Sequence, residues 1–236
     1  MLLSVFSTFL KSTDDGYVPT TLGTIAQSVI MVLIFLLGNL ILGKSKSKSK
    51  AMTTKELCVS AILIAIAYVL SNIKLFELPQ GGSVTLCSML FVCIVGYLFG
   101  ARVGLTAAFA YGLLQLITGP YIIHPVQVLL DYPFAFACLG LSGFFSNKKF
   151  GYSIGFIVGS ISRYIVHVIS GIIFFGQYAG KEGPIIYSCT YNLAVLAEAG
   201  LSIVLLAILY PAVKRVKILL INDNTNTVNN KDKEVA

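Results

Sequence analysis

The sequence predicts an all-α polytopic membrane protein, and three observations support that prediction. Of the 236 residues, 56% are hydrophobic and only 11% are charged, whereas soluble domains contain about 25% charged residues. Long apolar runs recur between residues 22 and 212, as expected for helices that cross a bilayer. These runs are continuous, without the alternation of apolar and polar residues that is typical of a membrane β-barrel.

Seven apolar segments are predicted to span the membrane. The run KSKSKSK at residues 44–50 is polar and of low complexity, like a linker, and separates the first segment from the other six. Only GARVG at residues 100–104 separates the third and fourth segments, which should therefore form a tight helical hairpin. The segments are approximately 22–43, 56–72, 84–100, 102–118, 124–145, 152–175 and 185–212.

These segments divide the chain into three predicted parts. Residues 1–50 form an accessory transmembrane helix and the Lys/Ser linker, and residues 51–220 form a six-helix core. Residues 221–236 are polar and rich in Asn, Asp and Lys, a composition that predicts a disordered cytoplasmic tail.

The distribution of basic residues predicts the orientation. If the segments alternate, one side of the membrane collects Lys44–Lys55, Arg102, Lys148–Lys149 and Lys214–Lys217. Cytoplasmic loops are enriched in Lys and Arg, so we expect the N-terminus outside the cell membrane and the C-terminus in the cytoplasm. The same rule accounts for the net charge of +7, which therefore does not indicate a nucleic acid partner.

Charged residues within the spans are the first candidates for function, because each costs about 2.5–3.5 kcal/mol at the centre of a transmembrane helix. The predicted core contains Asp131, Arg163 and Glu198. Helical spacing puts Arg163, His167 and Gly171 on one face of the sixth span. Asp131 and His124 share a face of the fifth span, and Glu198 shares one with Tyr187 and Tyr191 of the seventh.

Three polar faces on three helices predict a common cavity in the outer half of the membrane. Asp131, Glu198 and Arg163 sum to a charge of −1 with His167 neutral, and aromatic residues lie at the same level. An acid among aromatic faces suits a flat, cationic or amine-bearing ligand. Two alternatives remain open for Glu198, which either faces the ligand or forms an ion pair with Arg163.

Enzyme and metal motifs are missing from the sequence. It contains no GxxxxGK[ST], HExxH or GxSxG motif, so neither ATP hydrolysis nor another enzymatic activity is expected. The five cysteines form no CxxC pair, and the two histidines lack a third ligand at a suitable spacing. We therefore expect no metal site and no cofactor.

Four stretches of the core resemble the substrate-binding S components of energy-coupling factor (ECF) transporters, in particular the thiamine-specific ThiT family. They are LPQGGSVTL (78–86), LLDYPFAFACLGLSG (129–143), SRYIVHVISGIIFFGQYA (162–179) and PIIYSCTYN (184–192). The resemblance extends over about residues 52–215. It implies six core helices, a high-affinity thiamine site near the outer face, and a complex with a transmembrane coupling protein and two ATPase subunits.

The resemblance also implies a set of substrate-binding residues. An acid–Tyr pair of the family matches Asp131 and Tyr132, and its aromatic stacking position matches Phe175. The family often has Glu and Trp in this pocket, whereas this chain has Asp131 and no Trp. The full implied set is Tyr121, Asp131, Tyr132, Arg163, His167, Gly171, Phe175, Tyr187 and Asn192.

The ligand and the mode of transport have alternatives. The departures from the family pattern leave room for a thiamine precursor or another heteroaromatic amine. A standalone proton-coupled carrier, with Asp131 or Glu198 as its proton site, is a further possibility. Ala61 and Ala65 form a small-xxx-small face on the first core helix. This face resembles those with which S components dock on the coupling protein, although packing within the bundle would explain it equally well.

Overall fold

The computed structural model describes residues 10–13, 16–20, 22 and 52–234, and it describes side chains for Thr20, Leu22 and residues 52–220. Near the N-terminus, β1 (Leu10–Thr13) pairs in antiparallel fashion with β2 (Gly16–Pro19). The predicted accessory span at residues 22–43, apart from Leu22, and the Lys/Ser linker lie outside the described residues.

Helices build the core, as the sequence predicts. Five helical units of the described part are long and apolar enough to cross a membrane, and a shorter apolar helix, Ser88–Phe99, accompanies them. The last of these units, Pro184–Leu220, is divided at Asn192, where one helix ends and the next begins. The helices are α1 (Thr54–Ser71), α2 (Ser88–Phe99), α3 (Ala101–Leu114), α4 (Pro125–Phe145), α5 (Gly151–Phe174), α6 (Pro184–Tyr191) and α7 (Leu193–Glu234).

A short β-hairpin connects α1 to α2. Its strands are β3 (Lys74–Glu77) and β4 (Ser83–Thr85), which pair in antiparallel fashion. The turn Pro79–Gly82 between them places Gln80 at a φ of 57° and Gly81 at a φ of 83°. Positive φ is readily adopted by glycine and is uncommon for glutamine. The hairpin and its turn were not predicted, because the third apolar segment was expected to begin at residue 84.

Helix α4 is irregular. A π-helical turn occupies Leu130–Phe134, and the helix ends in a 3₁₀ segment, Cys138–Phe145. Pro133 lies within the π-helical turn, and proline has no N–H to donate to the regular helical pattern. Such turns are common at functional sites, and this one contains Asp131.

Glycines allow the central helices to approach closely. Gly100, with a φ of 87°, is the only residue between α2 and α3, which confirms the predicted tight hairpin. A Cβ on Gly104 would lie 2.6 Å from the Cα of Gly96, and one on Gly140 would lie 2.6 Å from the carbonyl oxygen of Gly104. The backbones of α2, α3 and α4 are therefore in direct contact.

The C-terminal segment differs from the sequence-based expectation. Helix α7 continues to Glu234, so a helix occupies residues 221–234, where composition predicts disorder. This stretch contains no Pro or Gly. Extending an existing helix avoids the cost of a new nucleus, which explains how a polar segment can follow a long apolar helix without a break. The division of the chain into three parts stays a prediction.

The close contact at Gly140 yields a stability prediction. Gly140→Ala should lower the apparent melting temperature in detergent, since overpacking of this kind costs about 1–3 kcal/mol. Gly200→Ala is the matched control, because no atom lies within 4 Å of a Cβ built there and alanine favours a helix by about 1 kcal/mol over glycine. Equal melting temperatures for the two variants would contradict the packing described for α3 and α4.

Candidate solute-binding cavity

A cavity lies between the hairpin β3–β4 and helices α4 to α7. It lies at the end of the core where α1, α3 and α5 finish and where α2, α4 and α6 begin. All nine residues that the resemblance implies line it, from segments up to 71 positions apart in the sequence. They are Tyr121, Asp131, Tyr132, Arg163, His167, Gly171, Phe175, Tyr187 and Asn192.

A chain of hydrogen bonds connects the charged groups of this cavity. His167 Nδ1 lies 3.2 Å from Asp131 Oδ1, and the side chains of both residues are 14% exposed. Arg163 Nε donates to His167 Nε2 at 3.3 Å. Because the guanidinium can only donate, Nε2 must accept, and His167 therefore holds its proton on Nδ1 and donates to Asp131.

Gln127 fixes the second oxygen of Asp131. Its Nε2 donates to Asp131 Oδ2 at 2.7 Å and to the carbonyl of Tyr121 at 3.2 Å, while its Oε1 accepts from the Ile123 N–H. The side chain is almost completely buried. Gln127 therefore connects the carboxylate of Asp131 to the segment before α4 and fixes their relative positions.

Aromatic rings form the other wall of the cavity. The rings of Tyr121 and Phe175 stack with centroids 6.0 Å apart. The hydroxyl of Tyr121 is 2.9 Å from that of Tyr178, and Tyr132 accepts a hydrogen bond from the Tyr121 N–H. Flat π-faces beside a carboxylate are the surfaces that attract cationic rings.

The turn Pro79–Gly82 also lines the cavity, and α6 holds it in place. Tyr187 donates to Gln80 Oε1 at 3.2 Å. The Tyr191 hydroxyl donates to the Pro79 carbonyl and accepts from the Gly82 N–H. Two tyrosines one helical turn apart therefore hold this turn against the cavity.

Helices α5 and α6 meet at Gly171. A Cβ there would collide with Ser188 Oγ, so only glycine permits this approach. Asn192 donates to the carbonyl of His167 at 3.3 Å and to that of Ser188 at 2.9 Å. Gly171 and Asn192 thus bring the α6 tyrosines close to the His167 side of the cavity.

Glu198 takes neither of the two predicted positions. It does not line the cavity, and no ion pair of the described residues joins it to Arg163. Its carboxylate accepts from Thr85 and Ser88 instead. The guanidinium of Arg163 lies 4.1 Å from the ring centroid of Phe136, and Nη1 is buried without a hydrogen-bond partner among the described side chains.

The predicted cavity charge of −1 must therefore be corrected. That sum included Glu198, which instead lines a second, neighbouring polar cavity together with Arg163. The ionised groups that line the first cavity are Asp131 and Arg163, and these cancel. The local arrangement remains favourable to a cation, because Asp131 stands among the aromatic rings while Arg163 is turned towards His167 and Phe136.

Several lining residues were not among the predicted site residues. Gln127 and Tyr191 share helical faces with Asp131 and Tyr187, so their spacing could have indicated them. Gln80 gave no such signal, because its place at the cavity depends on how the hairpin folds back onto α6. The other lining residues include Leu78, Ser83, Gln115, Phe136 and Ser188. Within residues 52–220, no cluster of three or more His, Cys, Asp or Glu side chains could hold a metal ion.

Ala61 and Ala65 do not line this cavity and lie on the surface of the described core. Both are exposed, whereas Ser60, Ile64 and Ala67 of the same helix are buried. Their small side chains therefore face away from the helices of the described core, and packing within residues 52–220 does not explain them.

In the described part of the chain, six apolar helical units around a polar, aromatic cavity define a multi-pass membrane protein with a candidate site for a small solute. Residues 57–218 match the family described as thiamine transporter protein (Thia_YuaJ). This match covers more than half of the chain, which therefore belongs to that family. The family consists of transporters, in agreement with the expectation that the chain is not an enzyme.

Individual relatives support the same assignment. The chain is 40% identical to the thiamine transporter ThiT of Bacillus subtilis over 149 residues, which are 56% of this chain and 77% of that protein. It is 31% identical to ThiT of Lacticaseibacillus paracasei over 154 residues, 57% and 73% of the two chains. The structure of ThiT from Listeria monocytogenes superposes with a TM-score of 0.62 at 27% identity, covering 69% of this chain and 96% of that one. These findings confirm the predicted ThiT resemblance and the all-α membrane fold.

The hydrogen-bond chain predicts the tautomer of His167. In ¹⁵N spectra of protein labelled at histidine, His167 should appear as a neutral ring protonated on Nδ1. The sequence has only two histidines, so the variant His124→Gln leaves a single signal to assign. Arg163→Met should leave the proton on Nδ1, because the Asp131 carboxylate still accepts from it, but it should shift the Nε2 resonance, since it removes the donor to Nε2. A ring protonated on Nε2 in the otherwise unchanged protein would contradict the geometry.

Proposed function

We propose that this chain is the thiamine-binding S component of an ECF-type vitamin importer. It would capture thiamine at the outer face and deliver it by reorienting on a transmembrane coupling protein that is driven by two ATPase subunits. The observation that supports this most directly is the Asp131 carboxylate, held by His167 and Gln127 beside stacked aromatic rings. Membership of the thiamine transporter family identifies the ligand class.

Each part of thiamine has a suitable partner in this cavity. The Asp131 carboxylate would accept from the aminopyrimidine or balance the positive charge of the thiazolium ring. Phe175 and His167 offer flat surfaces for stacking on the two rings. The hydroxyls of Tyr121, Tyr132 and Tyr187 and the amide of Asn192 would complete the polar contacts.

Aspartate can serve here although the family often has glutamate. The shorter side chain places its carboxylate closer to the α4 backbone, by about the length of one methylene group. Gln127 and His167 hold both of its oxygens, so the charge is fixed rather than mobile. A water molecule or a slightly deeper ligand position would then span the remaining distance.

The orientation follows from the two ends of the core. Lys55, Arg102 and Lys148 lie near the helix ends opposite the cavity, and Arg215 lies on α7 close in sequence to Lys217. Lys217 donates to the carbonyls of Tyr97 and Ser146 at the same end, near the last residues of α2 and α4. With the basic end in the cytoplasm, the cavity faces outward, and the C-terminus is cytoplasmic.

Isothermal titration of the purified protein with thiamine tests the ligand. Binding at nanomolar to low-micromolar concentration, without ATP or an ion gradient, supports the proposal. Tighter binding of a thiamine precursor or of another heteroaromatic amine would reassign the ligand within the same class. Uptake driven by a proton gradient into vesicles containing this chain alone would favour a standalone carrier instead.

Asp131→Asn should weaken thiamine binding by roughly ten- to a hundredfold. A hydrogen bond to a charged group contributes about 1.5–3 kcal/mol, and about 1.4 kcal/mol corresponds to a factor of ten. Glu182→Gln removes an exposed carboxylate outside the cavity and should leave the affinity unchanged. If Asp131→Asn folds normally and binds as tightly as the unchanged chain, the cationic ligand is recognised elsewhere.

The exposed face of α1 is the proposed docking surface for the coupling protein. Ala61→Leu and Ala65→Leu should reduce co-purification with the coupling protein and thiamine uptake, because larger side chains prevent close helix approach. Thiamine affinity should not change. Ala207→Leu, at an exposed alanine of α7, is the matched control. Full uptake by the doubly substituted α1 variant would exclude this face as the docking surface.

A further inference from the structure

Glu198 is a buried carboxylate that the proposed ligand contacts leave without a role. It lies on α7 and is only 2% exposed. Thr85 Oγ1 and Ser88 Oγ donate to its Oε1 at 2.8 and 3.0 Å. The Thr85 N–H donates to Oε2 at 3.3 Å and the Met89 N–H to Oε1 at 3.4 Å. All four donors belong to the junction between β4 and α2.

This junction has no cap of its own. The residue that precedes α2 is Cys87, which has a φ of 56° and makes no side-chain hydrogen bond to the helix. The first N–H groups of a helix need acceptors, and a negative charge near them is favourable. Glu198 supplies the acceptor and the negative charge from a different helix, 109 positions away from Met89 in the sequence.

The junction is also the base of the turn that covers the cavity. β4 ends at Thr85 and pairs with β3 through Val84–Phe76 and Ser83–Glu77. The turn Pro79–Gly82 connects these strands and lines the cavity. It is held at its tip by the tyrosines of α6 and at its base by Glu198 of α7.

We propose that Glu198 is a positioning residue that holds the turn Pro79–Gly82 over the ligand without touching the ligand. The inference rests on the proposed function, since it takes the cavity beneath the turn as the thiamine site. The hydrogen bonds from Thr85, Ser88 and Met89 to Glu198 are the anchor of this turn. Loss of the anchor should let the turn move away from the cavity more often, so bound ligand should leave faster. The association rate constant, kon, depends less on whether the turn is closed and should therefore change little.

Stopped-flow binding of thiamine tests this role. Glu198→Gln should raise koff about tenfold and change kon less than twofold, with the fraction of binding-competent protein unchanged. Thr85→Val is a milder second variant that removes one donor. Its effect should be smaller when Glu198 is already replaced, because the two side chains share one hydrogen bond. Glu77→Gln is the control, since this exposed carboxylate of the same hairpin pairs only with Lys74 among the described contacts.

The native thiol of Cys87 reports on the anchor without any ligand. Cys87 is 6% exposed, and in a background with Cys58, Cys93, Cys138 and Cys189 replaced by Ala its rate of maleimide labelling measures opening of the junction. Glu198→Gln should raise this rate about tenfold, Thr85→Val less, and Glu77→Gln not at all.

The two measurements separate failure of the anchor from failure of the proposed function. An unchanged Cys87 labelling rate in Glu198→Gln overturns the anchor, whatever the ligand is. Faster labelling with unchanged koff, or a loss of competent protein with unchanged rate constants, shows that Glu198 only stabilises the fold and also overturns the inference. If the unchanged chain does not bind thiamine, the proposed ligand fails while the labelling comparison still decides the anchor.

Discussion

The hydrogen bonds around Asp131 are the constraint on which the arrangement of the cavity depends. A carboxylate within a membrane span is costly unless its oxygens are satisfied. Gln127 and His167 supply donors from α4 and α5, and Arg163 donates to the other ring nitrogen of His167, Nε2. Rotating either helix would separate this set. The cost of burying Asp131 therefore fixes the faces that α4 and α5 present to each other, and with them Gly171 and Phe175.

Close backbone packing complements this polar constraint. Lipid tails are as apolar as leucine, so helices in a membrane associate through van der Waals contact and small residues rather than through the hydrophobic effect. The glycines of α2, α3 and α4 supply such contact away from the cavity. Near the cavity, the π-helical turn around Pro133 interrupts the regular hydrogen bonding of α4. Tight packing at the end of the core opposite the cavity can tolerate that irregularity near the cavity.

The site residues whose positions depend on helical spacing or on the family resemblance could be predicted from the sequence. Arg163, His167 and Gly171 share a face because they are four residues apart, and the structure brings all nine implied residues to one cavity. Glu198 was misplaced because spacing gives the face of a residue but not the neighbour it meets there. Gln80 was missed because its position arises from a turn that folds back onto α6. The continuation of α7 was missed because composition does not show that a preceding helix has already paid the nucleation cost.

Counting donors distinguishes the two carboxylates at the cavity end of the core, Asp131 and Glu198. An ionised carboxylate has acceptor sites for about four hydrogen bonds. Glu198 receives four donors from Thr85, Ser88 and Met89, three on Oε1 and one on Oε2, so a ligand or proton that approaches Oε1 would have to displace them. Asp131 receives one donor on each oxygen and retains acceptor sites on a surface that lines the cavity. A proton-coupled carrier based on Glu198 would weaken the hydrogen bonds of this junction at each cycle, whereas a binding protein can leave Glu198 fixed and use Asp131 for the ligand.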